Sequence, residues 1–172
     1  MPSKTTLNRA RQAKRAGRAP STQAGEFVRE EIEHLREGKH GARSTKQAIA
    51  IGLSKARRSG VDLPPPRKGT TSARTRRAAE RALREGRGGR KQTSAKRSRA
   101  TRRALKREGR SAASTAQLSR QARTASRKRS RASRRASARR AARTKGPALR
   151  RSAAKRAAAT RRRRRVRAPS AS

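Results

Sequence analysis

The 172-residue sequence contains no cysteine, tryptophan or tyrosine and only one phenylalanine. Without cysteine there are no disulfides and no thiolate zinc sites, which excludes zinc-finger recognition. Without aromatics there is no platform on which unpaired bases stack, the device used by most single-strand readers. Acidic residues are scarce too: nine Asp and Glu face 54 Lys and Arg, leaving a net charge of +45. No apolar run reaches the ~18 residues of a transmembrane helix, and the N-terminal MPSKTTLNRARQAKRAG lacks the apolar middle of a secretory signal. After residue 64 the large aliphatics are Leu83, Leu105, Leu118, Leu149 and Val166, too few for a membrane-surface helix. These absences predict a cytoplasmic, nucleoid location and no membrane partner.

What is present is a polycation. Low hydrophobic content (29%) with high charge is the signature of a chain that repels itself and stays open. The fold expected is therefore mostly α with extensive disorder: one small folded island between basic tails that take up helix on nucleic acid.

The island is marked by its acids. Six of the nine, Glu26, Glu30, Glu31, Glu33, Glu37 and Asp62, fall in residues 26–63, which carry +2 against +43 for the rest. Within it GEFVREEIEHLREG sets Val28, Ile32 and Leu35 at i, i+4 and i+7 beside Phe27, with Gly38 as the stop. After the loop KHGAR, Ser44-Thr45-Lys46-Gln47 has capping-box spacing. The following Ala48, Ile49, Gly52, Leu53 and Ala56 share an arc of about 140° on a helix. Gly60 reads as a left-handed terminator, with Val61 folding back on Ala56 in a Schellman motif before Pro64-Pro65-Pro66. The expected unit is a two-helix hairpin at about 26–37 and 45–59, with a core of Phe27, Val28, Ile32, Leu35, Ile49, Leu53, Ala56 and Val61. A hairpin of that size buries little apolar surface, so a second copy of the chain or nucleic acid is expected to complete it.

Four segments follow: an N-terminal basic arm (1–20), the hairpin and its proline spacer (21–66), a basic degenerate-repeat segment (67–125) and an Arg/Ala/Ser-rich tail (126–172). In the third, RALREGRGG and RRALKREGRS echo EHLREGKHG without its aliphatic stripe. The tail holds the candidate phosphate-binding residues. They begin with the cluster Arg127, Lys128, Arg129 and Arg131, followed by Arg134, Arg135, Arg139 and Arg140. Arg143, Lys145, Arg150, Arg151, Lys155 and Arg156 continue the series, and the run Arg161, Arg162, Arg163, Arg164 and Arg165 closes it. Arginine grips phosphate with a planar fork and enters narrow minor grooves, so DNA is the leading partner and RNA the second.

Other constellations are weak. His34 and His40, near Glu30, Glu33 and Glu37, read as solvated surface residues rather than metal ligands. Gly86-Arg87-Gly88-Gly89 follows no strand and is no phosphate loop. No nucleophile–base pair is visible, so neither an enzyme nor a cofactor is expected. Gly41–Leu53 follows the glycine turn and capped second helix of a ribbon-helix-helix regulator, but the strand that should precede the first helix is missing.

The block STQAGEFVREEIEHLREGKHGARSTKQAIAIGLSKARRSGVDLPPP, with TSAKRSRATRRALKREGRSAAS, SRQAR and RAARTKGPA further on, resembles a family of small basic bacterial proteins provisionally labelled DNA-binding or plasmid stabilisation protein. The tail is similar in composition to linker-histone-like and protamine-like tails, with arginine in place of most lysines. The resemblance implies DNA binding and compaction, and it brings no catalytic residues.

Overall fold

Serine caps and glycine stops divide this chain into helices. The computed structural model describes residues 2–88 and 94–167, without the side chains of 144, 145 and 163–167. Among the described residues it has seven α-helices, one 3-10 turn and no strand. These are α1 (Lys4–Arg15), α2 (Pro20–Arg36), α3 (Thr45–Arg58), α4 (Ala73–Arg87), α5 (Ala95–Arg107), the 3-10 turn Ser111–Ala113, α6 (Thr115–Arg127) and α7 (Arg131–Arg167). They fall into two units divided after Ala122.

The hydroxyls of Ser3, Ser44 and Ser72 accept the backbone N–H three residues on, at 3.1, 3.2 and 3.2 Å, and so start α1, α3 and α4. Gln47 accepts in turn from the Arg43 amide at 2.8 Å, one residue ahead of the cap itself. Helices α1 to α3 each stop at a glycine with positive φ: Gly17 (65°), Gly38 (74°) and Gly60 (85°). At the last of these the Gly60 N–H donates to the Arg57 carbonyl and the Val61 N–H to the Ala56 carbonyl, both at 3.1 Å. That is the Schellman pairing which the glycine spacing predicts.

Small side chains set the centre of the first unit. Ala48 and Ala56 are fully buried on α3, and a Cβ on Gly52 between them would sit 2.7 Å from the Val28 Cα and 3.0 Å from the Phe27 carbonyl oxygen. Two apolar clusters flank this crossing. On one side Ile32, Leu35, Ala42 and Ala48 meet Ala112 and Ala113 of the 3-10 turn, with Val28 and Leu118 at the edge. On the other, Ala24, Phe27, Ala56 and Val61 meet Ala10 of α1, with Leu7, Leu53 and Leu63 around them. Ile49 stays partly exposed and belongs to neither cluster.

The expectation of a two-helix hairpin at 26–37 and 45–59 with extensive disorder is overturned. Helix covers most of the described residues outside the hairpin as well. α2 starts at Pro20, ahead of the expected Glu26, because proline occupies the first helical position, where its missing N–H costs no bond. The segment expected as an N-terminal arm contains α1, which lays Leu7 and Ala10 on Phe27. In the degenerate repeats, α4 buries Ala79 and Ala82 against α3 although the aliphatic stripe is lost. Large apolar side chains are few, but this core is built mainly from alanine and close backbone contact. Alanine and arginine are also strong helix formers, so charge on the outer faces does not prevent helicity. The surface that completes α2 and α3 comes from elsewhere in the same chain.

Two substitutions test this packing. Phe27→Ala, at a side chain 1% exposed, lowers stability by about 3–5 kcal/mol. Leu7→Ala lowers it by about 0.5–3 kcal/mol, measured by thermal or urea unfolding followed by circular dichroism. A disordered arm would leave the midpoint unchanged on replacing Leu7.

Candidate nucleic-acid interface

The outward faces of the first unit are built by pinning helices through their small residues. α4 meets α3 so closely that a Cβ on Gly86 would stand 1.9 Å from the Arg57 carbonyl oxygen. The contact is braced by Arg58–Glu85 at 3.0 Å and Arg87–Asp62 at 2.6 Å. With Ala79, Ala82 and Gly86 turned inward, Arg74, Arg77, Arg81 and Arg84 are all exposed. Their spacing of i, i+3, i+7 and i+10 confines them to an arc of about 80° on the opposite side of the helix. α5 buries no residue and exposes Arg97, Arg99, Arg102 and Arg103. Its C-terminal end docks on the α2–α3 turn, where the Gly41 N–H donates to the Leu105 carbonyl (2.9 Å) and the Ala42 N–H to the Gly109 carbonyl (3.0 Å). Gly41 is required there, because a Cβ would lie 1.8 Å from the Glu108 carbonyl oxygen.

The second unit carries most of the candidate residues. Arg127, Lys128, Arg129, Arg131, Arg134, Arg135, Arg139, Arg140 and Arg143 are exposed, as are Arg150, Arg151, Lys155, Arg156, Arg161 and Arg162. Lys145, Arg163, Arg164 and Arg165 lie outside the described side chains. Gly146, at φ 65° and ψ 169°, interrupts α7, and Pro147 opens the second stretch. The arginines are spread around the helix rather than along one stripe, so α7 has no apolar face to bury. Some of them brace the helix itself: Arg129 Nη2 donates to Ser137 Oγ, and Arg150 Nε to the Gly146 carbonyl at 3.2 Å. From Gly109 to the end of the sequence there are 23 Lys and Arg and no acidic residue.

The reading of His34 and His40 as solvated is corrected by their burial. Their side chains are only 20% and 14% exposed, and they stand beside Glu30 and Glu31, which are 6% and 0% exposed. Glu31 Oε2 takes the Lys55 ammonium at 2.5 Å, and Glu31 Oε1 lies 3.0 Å from His40 Nε2. Glu30 Oε1 accepts the Ser3 amide at 2.7 Å, tying α1 to α2. Burial first, then the nearby Lys55 and Lys39, hold the His34 imidazole below its ordinary pKa. Arg57, also buried, donates from Nε to the Leu63 carbonyl (3.0 Å) and from Nη2 to the Pro64 carbonyl (3.1 Å), anchoring the proline spacer.

Sequence reasoning missed the α4 stripe, although its arginine spacing was readable once a helix was granted there. It grouped His34 and His40 with Glu30 but read them as solvated, and it had no signal that Glu31 and Lys55 join them. Residues 20–25, where a ribbon-helix-helix protein would need the residues leading from its strand, belong to α2.

Residues 11–68 match the model of a family of unknown function, DUF6496. The match spans the end of α1, all of α2 and α3 and the proline spacer, and stops short of the basic helices from α4 onward. No curated protein and no solved structure matches the chain. The DNA-binding and plasmid-stabilisation labels implied by the resemblance thus have no named relative behind them. Among the described residues no helix is long and apolar enough to cross a membrane.

Gly86→Ala separates α4 from α3 and costs about 1–3 kcal/mol, as overpacking of a tight contact does. The expected readout is faster limited cleavage by trypsin at the arginines of α4, with α2 and α3 still protected.

Proposed function

We propose that the protein binds the phosphate backbone of DNA without reading base sequence, as a nucleoid-associated, histone-like protein that neutralises and compacts the duplex. The observation that carries this reading is the run of 23 cations without one acid from residue 109 onward, of which the 18 with described side chains are all exposed. A polycation of that density gains free energy by releasing the counterions condensed on a polyanion, and needs no base contacts to do so. The arginine stripe of α4 extends the same chemistry to the first unit. The sole aromatic, Phe27, is 1% exposed, which leaves no stacking surface for unpaired bases and favours a duplex. Structured RNA presents the same phosphates, and the competition below separates the two.

Binding of the full chain to duplex DNA is expected to weaken with salt at a log–log slope of about −0.9 per phosphate engaged, about −9 if ten cations take part. Replacing Arg134, Arg135, Arg150 and Arg151 together by Gln makes the slope shallower by about 3 to 4, equally on unrelated sequences. Affinity undiminished in molar sodium chloride, or a footprint on one site alone, overturns the reading. Structured RNA displacing DNA at equal concentration and fixed salt assigns the cations to RNA instead.

A further inference from the structure

In a chain with a net charge of +45, two carboxylates are buried in one pocket and each keeps an oxygen that accepts no hydrogen bond: Glu30 Oε2 and Glu31 Oε1. The abundant cations do not explain this. Lys55 takes only Oε2 of Glu31, and Lys39 pairs outside the pocket with Glu37 at 2.7 Å.

What Glu31 Oε1 faces is an imidazole. His40 Nδ1 lies 3.1 Å from the Gly41 carbonyl oxygen, which can only accept, so Nδ1 carries a proton. In the neutral ring Nε2 is then a lone pair, and it stands 3.0 Å from Oε1 without hydrogen-bond alignment. Among the described residues no side chain or backbone group donates a hydrogen bond to Glu31 Oε1. His34 completes the group. It follows Glu31 by three residues on α2 and so shares its face, and its ring meets that of His40 edge to face with centroids 6.1 Å apart. One ligand atom from each of Glu31, His34 and His40 lies within 4.8 Å of the others.

We propose that Glu31, His34 and His40 bind one first-row divalent transition cation, zinc in the first instance, with solvent in the fourth position. Two imidazoles and one carboxylate are a donor set that zinc accepts at about 2.0–2.2 Å, which requires ligand atoms about 3.3 Å apart. The Glu31–His40 pair is already at that spacing, and the partly exposed His34 ring is the one that must turn inward. A ligating histidine normally donates its other N–H to a carbonyl or carboxylate, as His40 does to Gly41. Bound there, zinc ties the α2–α3 turn to α2, beside the backbone bonds that hold the end of α5 on that turn.

The test uses the full chain, stripped of nucleic acid and metal and kept in high salt. Since the sequence has only two histidines and no cysteine, competing strong sites are few. Calorimetric titration with Zn2+ is expected to give one ion per chain. Co2+ should produce the intense visible bands of a tetrahedral nitrogen–oxygen site, and the melting temperature should rise with free Zn2+. His34→Gln and His40→Gln should each weaken Zn2+ binding by more than about 100-fold, beyond the 10–100-fold cost of losing a mere supporting group. Both variants should keep the helical circular dichroism of the parent, which separates ligand loss from unfolding. Absence of stoichiometric binding, binding unchanged in both histidine variants, or Mg2+ binding as tight as Zn2+ overturns the proposal.

Discussion

At Gly52 the backbones of α2 and α3 approach until a single methyl group would strike the Val28 Cα. Nearly everything in the first unit depends on that distance. It places Lys55 over Glu31, turns the loop carrying His40 back onto α2, and lets a few alanines close the two clusters around the crossing. With larger residues at 48, 52 and 56 the helices would stand farther apart, and Phe27 and Leu35 would lose the walls against which they are buried. The same device returns at Gly41 and Gly86, where α5 and α4 meet the hairpin backbone to backbone. A chain poor in large apolar side chains is held by proximity, since dispersion and backbone hydrogen bonds act only over short range.

Five of the nine acids are placed at the joints of this arrangement. Glu30 receives the Ser3 amide between α1 and α2, and Glu31 receives Lys55 between α2 and α3. Glu85 and Asp62 brace α3 against α4, and Glu108 meets Arg43 at 3.4 Å where α5 ends. The exposed pairs contribute little free energy individually. Their placement nonetheless neutralises cations where helices converge and leaves the outer faces positive. In the second unit no acids are present, and α7 carries its arginines on all sides. One part of the chain thus holds its positive charge on a packed scaffold, while the other has no counter-charge of its own.

Much of the hairpin was legible because its signals are local. The Ser44 cap, the Gly38 and Gly60 stops and the return of Val61 onto Ala56 each depend on residues within about one turn of each other. Val28, Ile32 and Leu35 stood out by helical spacing, with Phe27 beside them. Leu7 and Ala10 did not, since one leucine among basic residues makes no stripe until Phe27 lies against it. Pro20 and Gly25 looked like breaks, yet proline at the first position of a helix starts it. The candidate site was legible only as a population of arginines. Their grouping into a stripe on α4 needed the inward face of that helix to be known. The pocket of Glu30, Glu31, His34, His40 and Lys55 joins two helices and a loop, and no spacing rule connects His40 to Glu31 or Lys55.

By itself the sequence determined the charge, the helical character of the alanine- and arginine-rich segments, and the caps that open and close α3. Propensity, capping and net charge are properties of neighbours along the chain. Tertiary structure decided which small residues become contact points, which acids are buried, and which arginines are left outermost. Those outcomes depend on how closely helices distant in sequence can approach, and the approach is set by the missing Cβ of Gly52, Gly86 and Gly41 in a fold that brings their partners to them.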